Sequence, residues 1–272
     1  MLQLRGLVGR LAVLSVLVGA CSSVITSTGP SSSAEATHSP TAPAASGTRS
    51  AAPSPALANR LTTHCSETTP CSLAAGTWTT GGAYAFIPGM SITVPAGWSS
   101  REANAGELKL VPTEQPDDAI FLWKDVVAIE SRPANPAVLP GVPGTPDGLT
   151  ASFRKNPDFV STPTSTTIAG DVPALTYTLA VSPTAAYASR GCPSYPTCAN
   201  ILKDPVHWTT DFYAIGAPAI IRLYLATVGS GTDRHTLVIS LDATDPAALE
   251  RLTVSAAPII AGLRLPAVIG DQ

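Results

Sequence analysis

From about residue 72 onward, short apolar runs alternate with polar positions and are split again and again by proline and glycine. That texture belongs to short strands joined by turns. Leu175, Tyr177, Leu179 and Val181 alternate with Ala174, Thr176, Thr178 and Ala180, the period-two pattern of a half-buried strand. The clearest hairpin comes later: residues 219–228 (AIIRLYLATV) and 235–243 (HTLVISLDA) flank the turn-rich GSGTDR. Shorter strands are expected at Ala83–Phe86 and Ser91–Val94 around Pro88-Gly89, with VPAGW (94–98) ending the second on a turn and an aromatic plug. Glu107–Val111 and Ile120–Val127 follow.

Two helices interrupt this pattern. In TPDGLTASFRKNP, Thr145 is the expected N-cap, Pro146 the first helical residue, Asp147 the first-turn acid and Pro157 the stop; Leu149 and Phe153 would face the sheet. In TDPAALERLTVSAAPIIAGL, Asp245 caps and Pro246 follows. Leu249, Leu252, Ala256, Ile259 and Leu263 form one stripe, and Pro258 should kink the helix or end it early. Strands joined by hairpins outnumber helices, which predicts an α+β domain, a mainly antiparallel sheet flanked by helices.

The N-terminus carries an address. Arg5 and Arg10 precede an apolar core from Leu11 to Val18, far short of the roughly 20 residues a permanent bilayer-spanning helix needs. A basic start, a short apolar core and small residues predict a signal peptide over residues 1–20. Val18-Gly19-Ala20-Cys21 resembles the bacterial lipobox, which implies a diacylglyceryl thioether on the Cys21 Sγ and cleavage before that residue. Two acyl chains hold a protein to a membrane where one would be marginal, each buried CH₂ contributing about 0.8 kcal/mol. The expected location is therefore the outer face of the plasma membrane, with the lipid anchor as the membrane contact.

Loss of residues 1–20 takes the 16 basic residues to 14 against 19 acidic ones, a net charge of −5 that argues against a nucleic-acid partner. Residues 21–60, rich in Ser, Thr, Pro and Ala, are expected to form a disordered linker with a reach of roughly 35 Å. The folded domain is expected over 61–268.

Four cysteines remain after Cys21, and outside the cytoplasm an even number suggests disulfides. The two C-x5-C spacings favour the local pairs Cys65–Cys71 and Cys192–Cys198. Zinc ligation with His64 and His207 is disfavoured, because structural zinc sites pair cysteines at closer spacing.

SITVPAGW, ELKLVP, AIFLWKDV, GLTASFRKNPDF, TTIAGDVPALTYTL and TLVISLDATDPAALERL, in that order, resemble a group of exported actinobacterial proteins whose domain is similar to the PsbP-like α/β/α sandwich. The resemblance covers roughly residues 75–266 and rests on packing residues and turns. It implies a role in binding or assembling partners rather than in catalysis.

No catalytic, metal or cofactor motif is complete, and no cofactor is expected. Ser230, Asp233 and His235 crowd into one hairpin turn, whereas triads are assembled from distant elements. Asp204, His207 and Asp211 could be drawn as a metal or acid–base cluster but read better as a loop, with His207 and Trp208 packing its base. Asp117-Asp118 reads as a polar turn, and Trp98, Trp123 and Trp208 as core. Arg222, inside an apolar strand, should meet an acidic partner or, on the sharper reading, a ligand anion. The preferred function is a non-enzymatic, membrane-anchored domain that binds an envelope protein or component. A carrier of a lipid-like molecule is the alternative, and a cell-envelope hydrolase the third reading.

Overall fold

The computed structural model describes residues 59–61, 65–80, 86–185, 192, 195, 197–208 and 211–265. The expected signal peptide, Cys21, almost all of the linker, His64 and residues 83–85 lie outside the described residues. In chain order the strands begin with β1 (Asn59–Arg60), β2 (Cys71–Leu73), β3 (Gly76–Thr79), β4 (Ser91–Val94) and β5 (Trp98–Ala103). They continue with β6 (Glu107–Pro112), β7 (Ala119–Lys124) and β8 (Val127–Ala128). Helix α1 (Pro146–Lys155) precedes β9 (Phe159–Ile168), β10 (Val172–Val181), β11 (Cys198–Lys203) and β12 (Tyr213–Gly216). The long hairpin β13 (Ile220–Val228) and β14 (His235–Ala243) leads into α2 (Pro246–Ala261). Among the described residues, strand pairing begins at Asn59, two residues before the expected start of the domain.

An eight-stranded sheet in the order β2-β5-β6-β7-β14-β13-β10-β9 forms the centre, and all its pairings are antiparallel. Successive side chains on a strand point to opposite faces, so each strand contributes to two cores. On one face Leu108, Ile120, Leu122, Leu237, Ile239 and Leu241 meet the α2 stripe and the sheet β1-β3-β4. On the other, Trp123, Val238, Leu223, Leu225, Tyr177 and Leu179 meet α1 and the sheet β12-β11-β8. The domain is thus α+β with a mainly antiparallel sheet and a helix on each face.

Both helices start where their caps place them. The Thr145 hydroxyl accepts the Gly148 N–H at 3.2 Å, and the Asp245 carboxylate accepts the Ala248 N–H at 2.9 Å. Leu149 and Phe153 are buried, as are Leu249, Leu252, Ala256, Ile259 and Leu263. Pro258 does not end α2: the helix runs on to Ala261, and the Gly262 N–H returns to the Pro258 carbonyl at 2.9 Å. So near the C-terminus, the missing proline N–H removes only one of the last helical hydrogen bonds.

The strand expected over Ile120–Val127 is interrupted. Asp125 adopts the left-handed conformation (φ 55°), and its carboxylate takes the Thr236 N–H at 2.9 Å and the His235 Nδ1 at 2.6 Å. The chain leaves the large sheet there, and β8 pairs with β11 instead. Cys65–Cys71 and Cys192–Cys198 are both disulfides, with Cα separations of 5.3 and 6.2 Å.

Candidate functional site

The residue that dominates the site opens β6. Glu107 lies opposite Trp123 of β7, on the face that carries the second small sheet. The β5–β6 turn before it is held by Asn104, whose Oδ1 accepts the Gly106 and Glu107 N–H groups, each at 2.8 Å, and whose Nδ2 donates to Glu102 at 3.0 Å. That turn touches the β11–β12 connection. A Cβ on Gly106 would stand 2.4 Å from Asp204 Oδ2 and 2.7 Å from His207 Nδ1, so only glycine admits this approach.

Between the turn and the connection lies a cleft of about 800 Å³, within the range of small-ligand sites. Glu102, Asn104, Glu107, His207 and Asp211 supply its polar lining, and Trp123, Trp208, Phe212 and Tyr213 its aromatic lining. Trp123, Trp208 and Tyr213 form one cluster with Phe121. Trp123 stacks on Phe121 with centroids 5.2 Å apart, meets Tyr213 at 4.5 Å and takes Trp208 edge-on at 6.0 Å. Trp123 Nε1 is buried and makes no hydrogen bond of good geometry, although it pulls against the effect of burial on Glu107.

Burial raises the Glu107 carboxyl to about 8, with the Glu102 charge adding to the shift. Below that pH Glu107 is an acid that holds its proton. Asp242, on β14, is raised to about 6, again by burial first. It accepts hydrogen bonds from the Ser240 and Tyr213 hydroxyls, and the Tyr213 phenol is itself pushed well up, first by burial and then by the Asp242 charge. The Asp204 carboxylate is buried and fully used. Its Oδ1 takes the Val206 and His207 N–H groups at 2.7 and 2.9 Å, and its Oδ2 meets His207 Nδ1 at 2.7 Å. That leaves Nε2 as the His207 nitrogen not engaged by Asp204.

Asp204, His207 and Asp211 lie on the loop expected there, and the structure pairs Asp204 with His207 and puts Asp211 on the same cleft. No group of three or more His, Cys, Asp or Glu among the described residues is arranged to hold a metal. Ser230, Asp233 and His235 separate: Asp233 sits in a 3-10 turn, while His235 pairs with Asp125 between β7 and β8. Asp118 is buried and accepts the Thr244 N–H at 3.3 Å, which ties a turn rather than a carboxyl pair. Arg222 finds its acidic partner: its guanidinium donates to Glu250 at 2.9 Å and Thr253 at 2.8 Å, both on α2. Trp98 and Trp123 are core, as expected, Trp123 being fully buried. Trp208 is partly buried against the same core and also lines the cleft, where Tyr213 of β12 packs on Trp123.

Glu102, Glu107, Tyr213 and Asp242 escaped sequence reasoning. Glu107 was legible only as the first letter of a strand, and its pairing with Trp123 depends on register between β6 and β7.

No protein-family model matches this chain, and no curated protein matches it in sequence. Two solved structures are similar over part of its course. One is a protein of Bacteroides thetaiotaomicron, 10% identical, with a TM-score of 0.36 over 72% of this chain and 50% of that one. The chain therefore spans half the length of that neighbour. The other is LpqN, involved in cell envelope biogenesis of Mycobacterium tuberculosis, 12% identical, with a TM-score of 0.37 over 73% of this chain and 91% of that one. TM-scores of this size do not establish a common fold, and neither neighbour's role carries over.

Proposed function

We propose that this chain is a lipid-anchored domain on the outer face of the plasma membrane and that it binds an envelope ligand in the aromatic cleft. The observation that carries the binding reading is the cleft itself: preformed, concave, walled by four aromatic side chains and furnished with carboxyls at its polar rim. The anchoring reading is supported by Val18-Gly19-Ala20-Cys21 after a short apolar core, and by the two disulfides. No helix among the described residues is long and apolar enough to cross a membrane. A helix on each face of one antiparallel sheet supports the PsbP-like reading of the fold.

Two experiments test this. Metabolic labelling with palmitate should mark the chain and fail to mark a Cys21→Ala variant; an unlabelled wild-type chain overturns the anchor. Native mass spectrometry of the protein purified from its own membranes should reveal an added mass, reduced by Trp208→Ala. A bare mass in both overturns binding in the cleft, while a long acyl mass would favour the lipid-carrier alternative.

One observation favours a second, catalytic reading. Glu107 keeps its proton at neutral pH on a cleft that also holds the carboxyl of Glu102, which places a protonated acid near a second carboxyl. Turnover of chromogenic esters or glycosides, lost in Glu107→Gln, would favour an envelope hydrolase over a binding domain.

A further inference from the structure

We propose that the cleft recognises an organic ammonium group, enclosed by its aromatic rings and neutralised by Glu102, Glu107 and Asp211. This rests on the reading of the cleft as a binding site and names the chemistry of its ligand. The first argument is charge. Three carboxyls line the cleft and no lysine or arginine does among the described residues, while His207 is tied to the Asp204 carboxylate. An anionic ligand would meet repulsion from Glu102 and Asp211, whereas a cation would be attracted by both.

The second argument is the rings. The partly exposed Trp208, Phe212 and Tyr213 offer π-faces and edges of the kind that hold alkylammonium groups, with the buried Trp123 packed behind them. The same aromatic cluster already holds one ammonium. Lys109 Nζ lies 4.8 Å from the centre of the Phe121 ring, which stacks on Trp123, and it is neutralised by Glu67. The adjoining rings on the cleft side have carboxyls beside them. A metal ion would make no use of them, since hard cations take oxygen ligands.

The third argument is linkage. Glu107 faces Glu102 from β5, Lys109 on its own strand, Trp123 on β7 and Asp242 on β14, with His207, Asp211 and Tyr213 on the cleft wall from the β11–β12 side. A bound cation favours the carboxylate, so binding should lower the Glu107 value from about 8 and release its proton near neutral pH.

The test uses the full lipid-anchored chain in a non-ionic detergent, with choline as probe because its charge does not titrate. Its uncharged isostere 3,3-dimethylbutan-1-ol is the control. Tryptophan fluorescence and calorimetry should register choline and not the isostere. Affinity should rise about tenfold or more between pH 6.5 and 9, with about one proton released per choline at pH 7. Glu107→Gln should flatten that profile, and Asp211→Asn, at an exposed position, should weaken binding severalfold at every pH. Competition by phosphatidylcholine, with the chain reconstituted in phosphatidylglycerol vesicles, would identify a lipid headgroup as the source; its absence would identify a soluble cation. Equal binding of the isostere, a flat wild-type pH profile or no choline binding overturns the ammonium inference. The binding reading then still stands or falls on the co-purified mass.

Discussion

Glu107 retains its proton to about pH 8 because burial withholds the water that would stabilise the carboxylate, and the neighbouring Glu102 adds like charge. Unfolding returns the group to its usual 4.5, so between pH 4.5 and 8 the folded chain holds a proton that the unfolded chain has released. Stability therefore falls as pH rises across that window, and stays low above it. Glu107→Gln should leave stability near pH 4.5 almost unchanged and raise it at pH 8.5 by on the order of 3–5 kcal/mol. Urea unfolding at several pH values checks this; an unaltered slope in the variant would refute it. Asp158 has the opposite sign. Hydrogen bonds from Arg132 (2.9 Å at Nε) and Ser131 hold its carboxyl below the usual range, so its contribution is present above the usual 3.8 and is lost as pH falls through the lowered value. Asp158→Asn should flatten the acid limb of the same stability profile. Of these groups, Arg222 was readable from its intrusion into an apolar strand, whereas Glu107 and Asp158 depend on partners distant in sequence.

At the scale of single elements, the local grammar of caps and periods carried far. Thr145-Pro146-Asp147 and Asp245-Pro246 mark helix starts through short-range hydrogen bonds that need no tertiary partner. Thr145→Ala should cost about 1 kcal/mol, read as a shift in the urea midpoint without a change in slope. Leu252→Ala, in the middle of the fully buried α2 stripe, should cost about 2–5 kcal/mol in the same assay. Several strands went unread, and three of them show why. The edge strand β9 (FVSTPTSTTI) is exposed along most of its length and carries Pro163, so it lacks the apolar alternation that marks a half-buried strand. β11 (CANILK) is buried at nearly every position and gives no period, and the four-residue β12 is too short to carry one. β12 supplies Tyr213 to the cleft, and β11 leads into the connection that carries His207, Trp208, Asp211 and Phe212.

For the molecule as a whole, the two disulfides close six-residue separations, and the chain-entropy account gives each about 2 kcal/mol. Reduction should lower the melting temperature of the domain measurably; an unchanged melt in reductant would show that the bridges contribute nothing to stability. The sequence by itself determined the local features: helix caps, the long hairpin, the cysteine pairs expected from spacing, and the α+β class that follows from counting alternating runs. Those depend on interactions over a few residues and on the period of the backbone. Only the tertiary structure decided which side chains share a face across β6, β7 and β14. It also decided where Asp125 turns the chain from one sheet to another, and that β12 crosses near Trp123. A buried carboxyl acquires its raised pKa from neighbours brought together by strand register, and register is set by packing over the entire sheet.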